Sequence, residues 1–124
     1  MEEFYQEISE LGERPEGSPG EQRLFDYIEE ELVNRNIPYQ VLDFDTSAVG
    51  HSFSRILTVR LPGARTERFT IAVPVNAAST HLRTNSADLA MALTLIDAAS
   101  QELLPTGLEV LFLGAIIIRF GCQA

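Results

Sequence analysis

Val110-Leu111-Phe112-Leu113-Gly114-Ala115-Ile116-Ile117-Ile118 is the stretch on which the reading of this chain turns. Its first four residues are an apolar run of strand length, the pattern of a strand buried on both faces. The run leaves through Gly-Ala, and the carboxyl ends of strands are where open α/β folds place ligands and catalytic side chains. Three isoleucines follow there. Isoleucine cannot ligate a metal, move a proton or attack a carbonyl.

Working outward, Pro105-Thr106-Gly107 is a turn that opens the strand at Leu108. Residues 86–103 are apolar on most sides, and Leu89, Ala92, Leu93, Ile96 and Ala99 form the core stripe of a helix. Residues 77–84 read as a polar loop, and Phe69–Val73 as a buried strand that stops at Pro74. Residues 53–61 place Phe53, Val59 and Leu61 in strand alternation and end at Pro62-Gly63. Tyr39, Val41 and Phe44 start an extended segment, broken by the polar residues 45–52.

Ser18-Pro19-Gly20-Glu21 is a helix start: Ser18 caps, Pro19 takes the first helical position and Glu21 completes a capping box. That helix runs to about Arg35, with Leu24, Phe25, Ile28 and Leu32 on one face and acids on the other. Phe4, Ile8 and Leu11 give a short helix over residues 3–11. The order helix–helix–strand–strand–strand–helix–strand predicts an α/β fold. It ends on an apolar strand with no helix after it, so that strand is expected to lie unpaired and to need cover.

At 124 residues the chain reads as one domain over 1–124, cut short. Its 45% hydrophobic and 22% charged residues are ordinary for a globular chain. A net charge of −9, with the nine basic residues all arginine and scattered from Arg14 to Arg119, argues against nucleic acid. A single cysteine, Cys122, allows no intrachain disulfide. The N-terminus, Met1-Glu2-Glu3-Phe4-Tyr5, is acidic where a signal peptide would be basic, and no apolar stretch approaches a membrane span. A cytoplasmic, non-membrane protein is the expectation.

Four segments carry a family resemblance: Leu11–Glu21, Ile37–Val41, the approach to Leu61-Pro62-Gly63, and Leu108–Ala115. In this order and spacing they resemble the N-terminal half of the zinc-dependent aminopeptidases, the co-catalytic zinc exopeptidases that include leucyl aminopeptidases and glutamate carboxypeptidases. The resemblance implies part of a three-layer αβα sandwich on a mixed, mostly parallel sheet. It also implies a zinc-binding His and an Asp after the third strand, a bridging Asp opening the next helix, and two glutamates after Gly-Ala. Here those positions hold Pro74, Asn76, Asn85, Ile116 and Ile117.

Zinc needs anionic or imidazole ligands, and its water needs a base. Proline and isoleucine supply neither, and asparagine is a weak neutral donor. A cage of carboxylates without metal would repel itself, whereas Ile116 and Ile117 add about 1.5–3 kcal/mol each if fully buried. The expectation is therefore no catalytic residue, no metal ligand and no cofactor.

His81 with Asp88 is the one relocated metal pair the sequence offers, and it has no third ligand. Asp88 otherwise reads as favouring a helix N-terminus. His51 reads as exposed, Asp97 as a polar position on an apolar helix, and Cys122 as a small packed residue. Ser79, Thr80 and Ser86 lack a nucleophile elbow. The leading expectation is a catalytically inactive aminopeptidase-like domain that works by self-association, or through a protein partner covering the last strand. The alternatives are part of a zinc metallopeptidase whose remaining site residues lie outside this chain, and a relic of a truncated gene.

Overall fold

The structure is a computed structural model that describes residues 2–15, 18–44, 54–77 and 82–114. Its elements are α1 (Glu2–Glu10), α2 (Pro19–Asn34), β1 (Gln40–Phe44), β2 (Ser54–Leu61), β3 (Arg68–Pro74), α3 (Leu82–Ser100) and β4 (Gly107–Leu113). Local chemistry sets the helix ends. The Ser18 hydroxyl accepts from the Glu21 amide at 3.3 Å, with Pro19 first in the helix. At the other end Asn36 takes a positive φ of 58° and the Ile37 amide returns to the Leu32 carbonyl, 2.9 Å away, closing the last turn.

The strands form one mixed sheet in the order β1-β2-β4-β3. β1, β3 and β4 run the same way. Reversed β2 makes the β1–β2 and β2–β4 ladders antiparallel, while β3–β4 is parallel. The last strand is therefore not unpaired, as the element order alone suggested. It is an interior strand, hydrogen-bonded on both sides, and among the described residues the free edges belong to β1 and β3. The reason is the crossover: α3 carries the chain from β3 back to a parallel position between β3 and β2, where the apolar run Leu108–Leu113 is buried best. β3, expected as a buried strand, is mostly exposed, with Phe69 at 65% exposure and only Val73 buried.

Register decides which face is core. Leu61, Val59 and Leu57 of β2 lie beside Leu108, Val110 and Phe112 of β4, which in turn lie beside Phe69, Ile71 and Val73 of β3. This face shares one hydrophobic cluster with Phe4 and Ile8 of α1, Leu24, Phe25, Ile28 and Leu32 of α2, and Leu89, Leu93 and Ile96 of α3. The described residues thus supply the sheet and one helical layer of the αβα arrangement. On the other face Glu109 accepts from Arg60 at 2.6 Å and from Thr70 at 3.2 Å, and the Arg60 guanidinium holds its carboxyl below the usual carboxylate range.

α3 begins at Leu82, four residues before the expected start, so Asp88 sits in its second turn and not at its N-terminus. No described helix is long and apolar enough to cross a membrane.

Phe112 is fully buried at the centre of the sheet. Phe112→Ala is expected to cost about 3–5 kcal/mol, while Leu42→Ala, on the exposed β1 edge, stays within about 0.5 kcal/mol; urea unfolding measures both.

Candidate functional site

The positions singled out by the resemblance converge where β3 and β4 end. The assembly starts with Gly12, whose φ of 78° is a left-handed turn that L side chains rarely adopt. That turn reverses the chain after α1 and sends Arg14 inward. The Arg14 carbonyl then accepts from the Ala77 amide at 2.9 Å, tying this loop to the exit of β3.

The Arg14 side chain is fully buried. Its Nε donates to the Val75 carbonyl at 3.0 Å and to Asn85 Oδ1 at 3.1 Å. One terminal nitrogen donates to Asn85 Oδ1 at 2.8 Å and to Ser86 Oγ at 2.9 Å, and the other to the Gly12 carbonyl at 3.1 Å. Burial pushes the guanidinium down to about 10, which still leaves it charged at neutral pH. Its acceptors among the described residues are neutral oxygens, so the cation is held by dipoles and not by a carboxylate.

Asn85 is the hub. Its Oδ1 serves Arg14 and its Nδ2 donates to the Pro74 carbonyl at 2.7 Å. Asn76 is buried at 8% exposure, and its Nδ2 has no hydrogen-bond partner among the described residues. At the end of β4, Gly114 donates to the Arg55 carbonyl at 2.8 Å. A β-carbon there would lie 2.7 Å from that carbonyl oxygen and 2.8 Å from Glu21 Oε1, so the close approach requires glycine. The fully buried Glu21 carboxylate packs against Gly114, a placement the capping-box reading did not foresee.

The fold therefore brings Pro74, Asn76 and Asn85 together beside Gly114. Asp88 does not join them; it is exposed on α3, along a groove it shares with Pro74. Ile116, Ile117, His81, His51, Ser79, Thr80 and Cys122 lie outside the described residues. The sequence reading missed Arg14 as the organising side chain and Ser86 as its acceptor. The one signal for Arg14 was an arginine between Gly12 and Pro15, which periodicity cannot mark as buried.

These described residues do not fit a zinc ion. The Pro74 carbonyl and Asn85 Oδ1 are both engaged, and Asn85 Oδ1 already serves a buried cation, the Arg14 guanidinium. Among the described residues, no group of three or more His, Cys, Asp or Glu could hold a metal.

No family model and no curated protein sequence matches the chain. Solved structures do. It is similar to a glutaminyl cyclase from Porphyromonas gingivalis with a TM-score of 0.73 and 14% identity, covering 92% of this chain and 45% of that one. A glutaminyl cyclase from Fimbriiglobus ruber gives a TM-score of 0.71 at 13% identity, over 89% of this chain and 42% of that one. A leucine aminopeptidase precursor from Bacteroides thetaiotaomicron gives 0.64 at 11% identity, over 88% and 43%. At such identities the likeness shows the fold, which is zinc aminopeptidase-like. The chain spans less than half the length of these proteins.

Removing either member of the buried pair strands the other. Arg14→Met is expected to cost about 3–5 kcal/mol and Asn85→Ala about 3 kcal/mol, with a double variant costing clearly less than the sum; chemical denaturation of the set measures the coupling.

Proposed function

We propose that this chain is a zinc aminopeptidase-like domain in which the end of the sheet serves structure and not catalysis, and that it acts by association. The observation that carries the reading is the Asn85 amide. Its oxygen accepts from Arg14 twice and its nitrogen donates to the Pro74 carbonyl. A residue with both ends committed inside a buried network offers no lone pair to a metal. Pro74 has no ligating side chain, and Asn76 supplies a neutral amide where the resemblance has a carboxylate.

Electrostatics supports the same reading. A buried Arg14 cation disfavours a second positive charge nearby, and the neutral Asn85 keeps the network from needing one. Isoleucines at 116 and 117 add no base or ligand.

A second reading has one observation in its favour: the chain spans 42–45% of the glutaminyl cyclases it resembles in fold. On that reading it is part of a zinc-dependent enzyme of peptide N-termini, with ligands supplied from outside this chain.

Mass-spectrometric metal analysis and two substrates separate the readings: a chromogenic aminoacyl amide and a peptide with N-terminal glutamine. The expected result is zinc well below one equivalent and no turnover of either substrate, with or without added zinc. Stoichiometric zinc together with hydrolysis or cyclisation would overturn the proposal.

A further inference from the structure

Among the described residues, β3 is the unguarded edge of the sheet. The Val75 amide donates to the Leu113 carbonyl at 2.9 Å, so by strand alternation Val73 and Ile71 also point their amides toward β4. The amides of Thr70 and Ala72 then point to the free side. Pro74 falls in that outward set, where its missing N–H costs the β3–β4 ladder nothing. No charged residue stands between Arg68 and Pro74. The opposite edge is better protected: β1 is shorter, and its Asp43 is paired with Arg55 at 2.6 Å.

Beside this edge, between β3 and α3, runs an apolar groove of about 420 Å³ lined by Ile71, Val73, Met91, Ala92 and Leu95, with Asp88 at its Pro74 end. Met91 is 56% exposed on its rim. Phe69 stands on the same face of the strand as Ile71 and Val73, mostly exposed and two residues short of the groove. An exposed aromatic and an apolar groove thus lie on one strand, at positions that a two-fold axis exchanges.

We propose that two copies of this chain associate through antiparallel pairing of their β3 strands about Ile71, each Phe69 entering the groove of the other copy. The inference rests on the reading that the chain acts by association, and it names the surface and the occupant. Pairing about Ile71 sets Phe69 opposite Val73, Thr70 opposite Ala72 and Arg68 opposite Pro74. The outward amides of Thr70 and Ala72 gain acceptors, and the sheet becomes continuous across both copies. The same axis brings the Asp88 end of each groove toward the start of β3 in the other copy, where Arg65 is exposed in the preceding loop, so opposite charges flank an apolar centre.

Sedimentation equilibrium of the 124-residue chain at micromolar concentration tests this. A dimer is expected, and Phe69→Glu or Met91→Glu should each weaken it about a hundredfold. Leu42→Glu, on the β1 edge, should leave it intact. Unchanged thermal unfolding by circular dichroism checks that each variant is folded; Phe69 and Met91 are exposed, so at least one variant should pass. A monomeric parent chain overturns the proposal, even where another protein is found to bind it, and so does a dimer indifferent to both groove variants. Zinc binding with turnover in a chain that still dimerises would overturn the inactive centre and leave this interface standing; a zinc-free monomer would do the reverse.

Discussion

A buried guanidinium needs acceptors for its N–H groups, and Arg14 finds them on three segments far apart in sequence. Gly12 lies in the loop after α1, Val75 at the exit of β3, and Asn85 with Ser86 in the first turn of α3. These contacts fix the N-terminal loop, the end of β3 and the start of the crossover helix against one another. With the crossover fixed, β4 is delivered into the middle of the sheet, where both its edges are paired. The cost of leaving such a cation without partners in a low-dielectric interior makes the arrangement all-or-none.

The same network accounts for what this end of the sheet can do. A metallopeptidase uses the carboxyl ends of its strands to gather anions around cations. Here the gathered groups are an asparagine, main-chain carbonyls and a hydroxyl, arranged around a fixed side-chain cation. Gly114 adds a second constraint, because the β2 backbone and the Glu21 carboxylate approach too closely for any β-carbon. Both features read as packing devices. Among the described residues, the edge of β3 and the groove beside it offer the apolar surface and main-chain groups that this packing leaves over.

Much of the fold was legible in the sequence. The apolar period of α2, its Ser18-Pro19 start and its asparagine stop mark that helix within a residue or two, because caps and amphipathic stripes are local. Strand alternation likewise located β2, and an unbroken apolar run located β4. The start of α3 was misread because Arg83, Thr84 and Asn85, between Leu82 and the expected start at Ser86, carry polar side chains that do not read as helix. Asn85 and Ser86 are polar there since they serve Arg14, a partner 71 and 72 residues away. The exposure of β3 was misread for a related reason: Phe-Thr-Ile-Ala-Val has the composition of a buried strand, and only its neighbours reveal an edge.

By itself the sequence determined the elements, the α/β class and the side-chain types at positions 74, 76, 85, 116 and 117. Periodicity, capping and ligand chemistry are properties of short windows or single residues. The tertiary structure alone decided that β4 lies inside the sheet, that Arg14 is its buried organiser and that β3 is left free. Strand order is settled by competition among long-range pairings, and a buried cation goes where acceptors from distant segments meet. Neither is encoded in any one stretch of the chain.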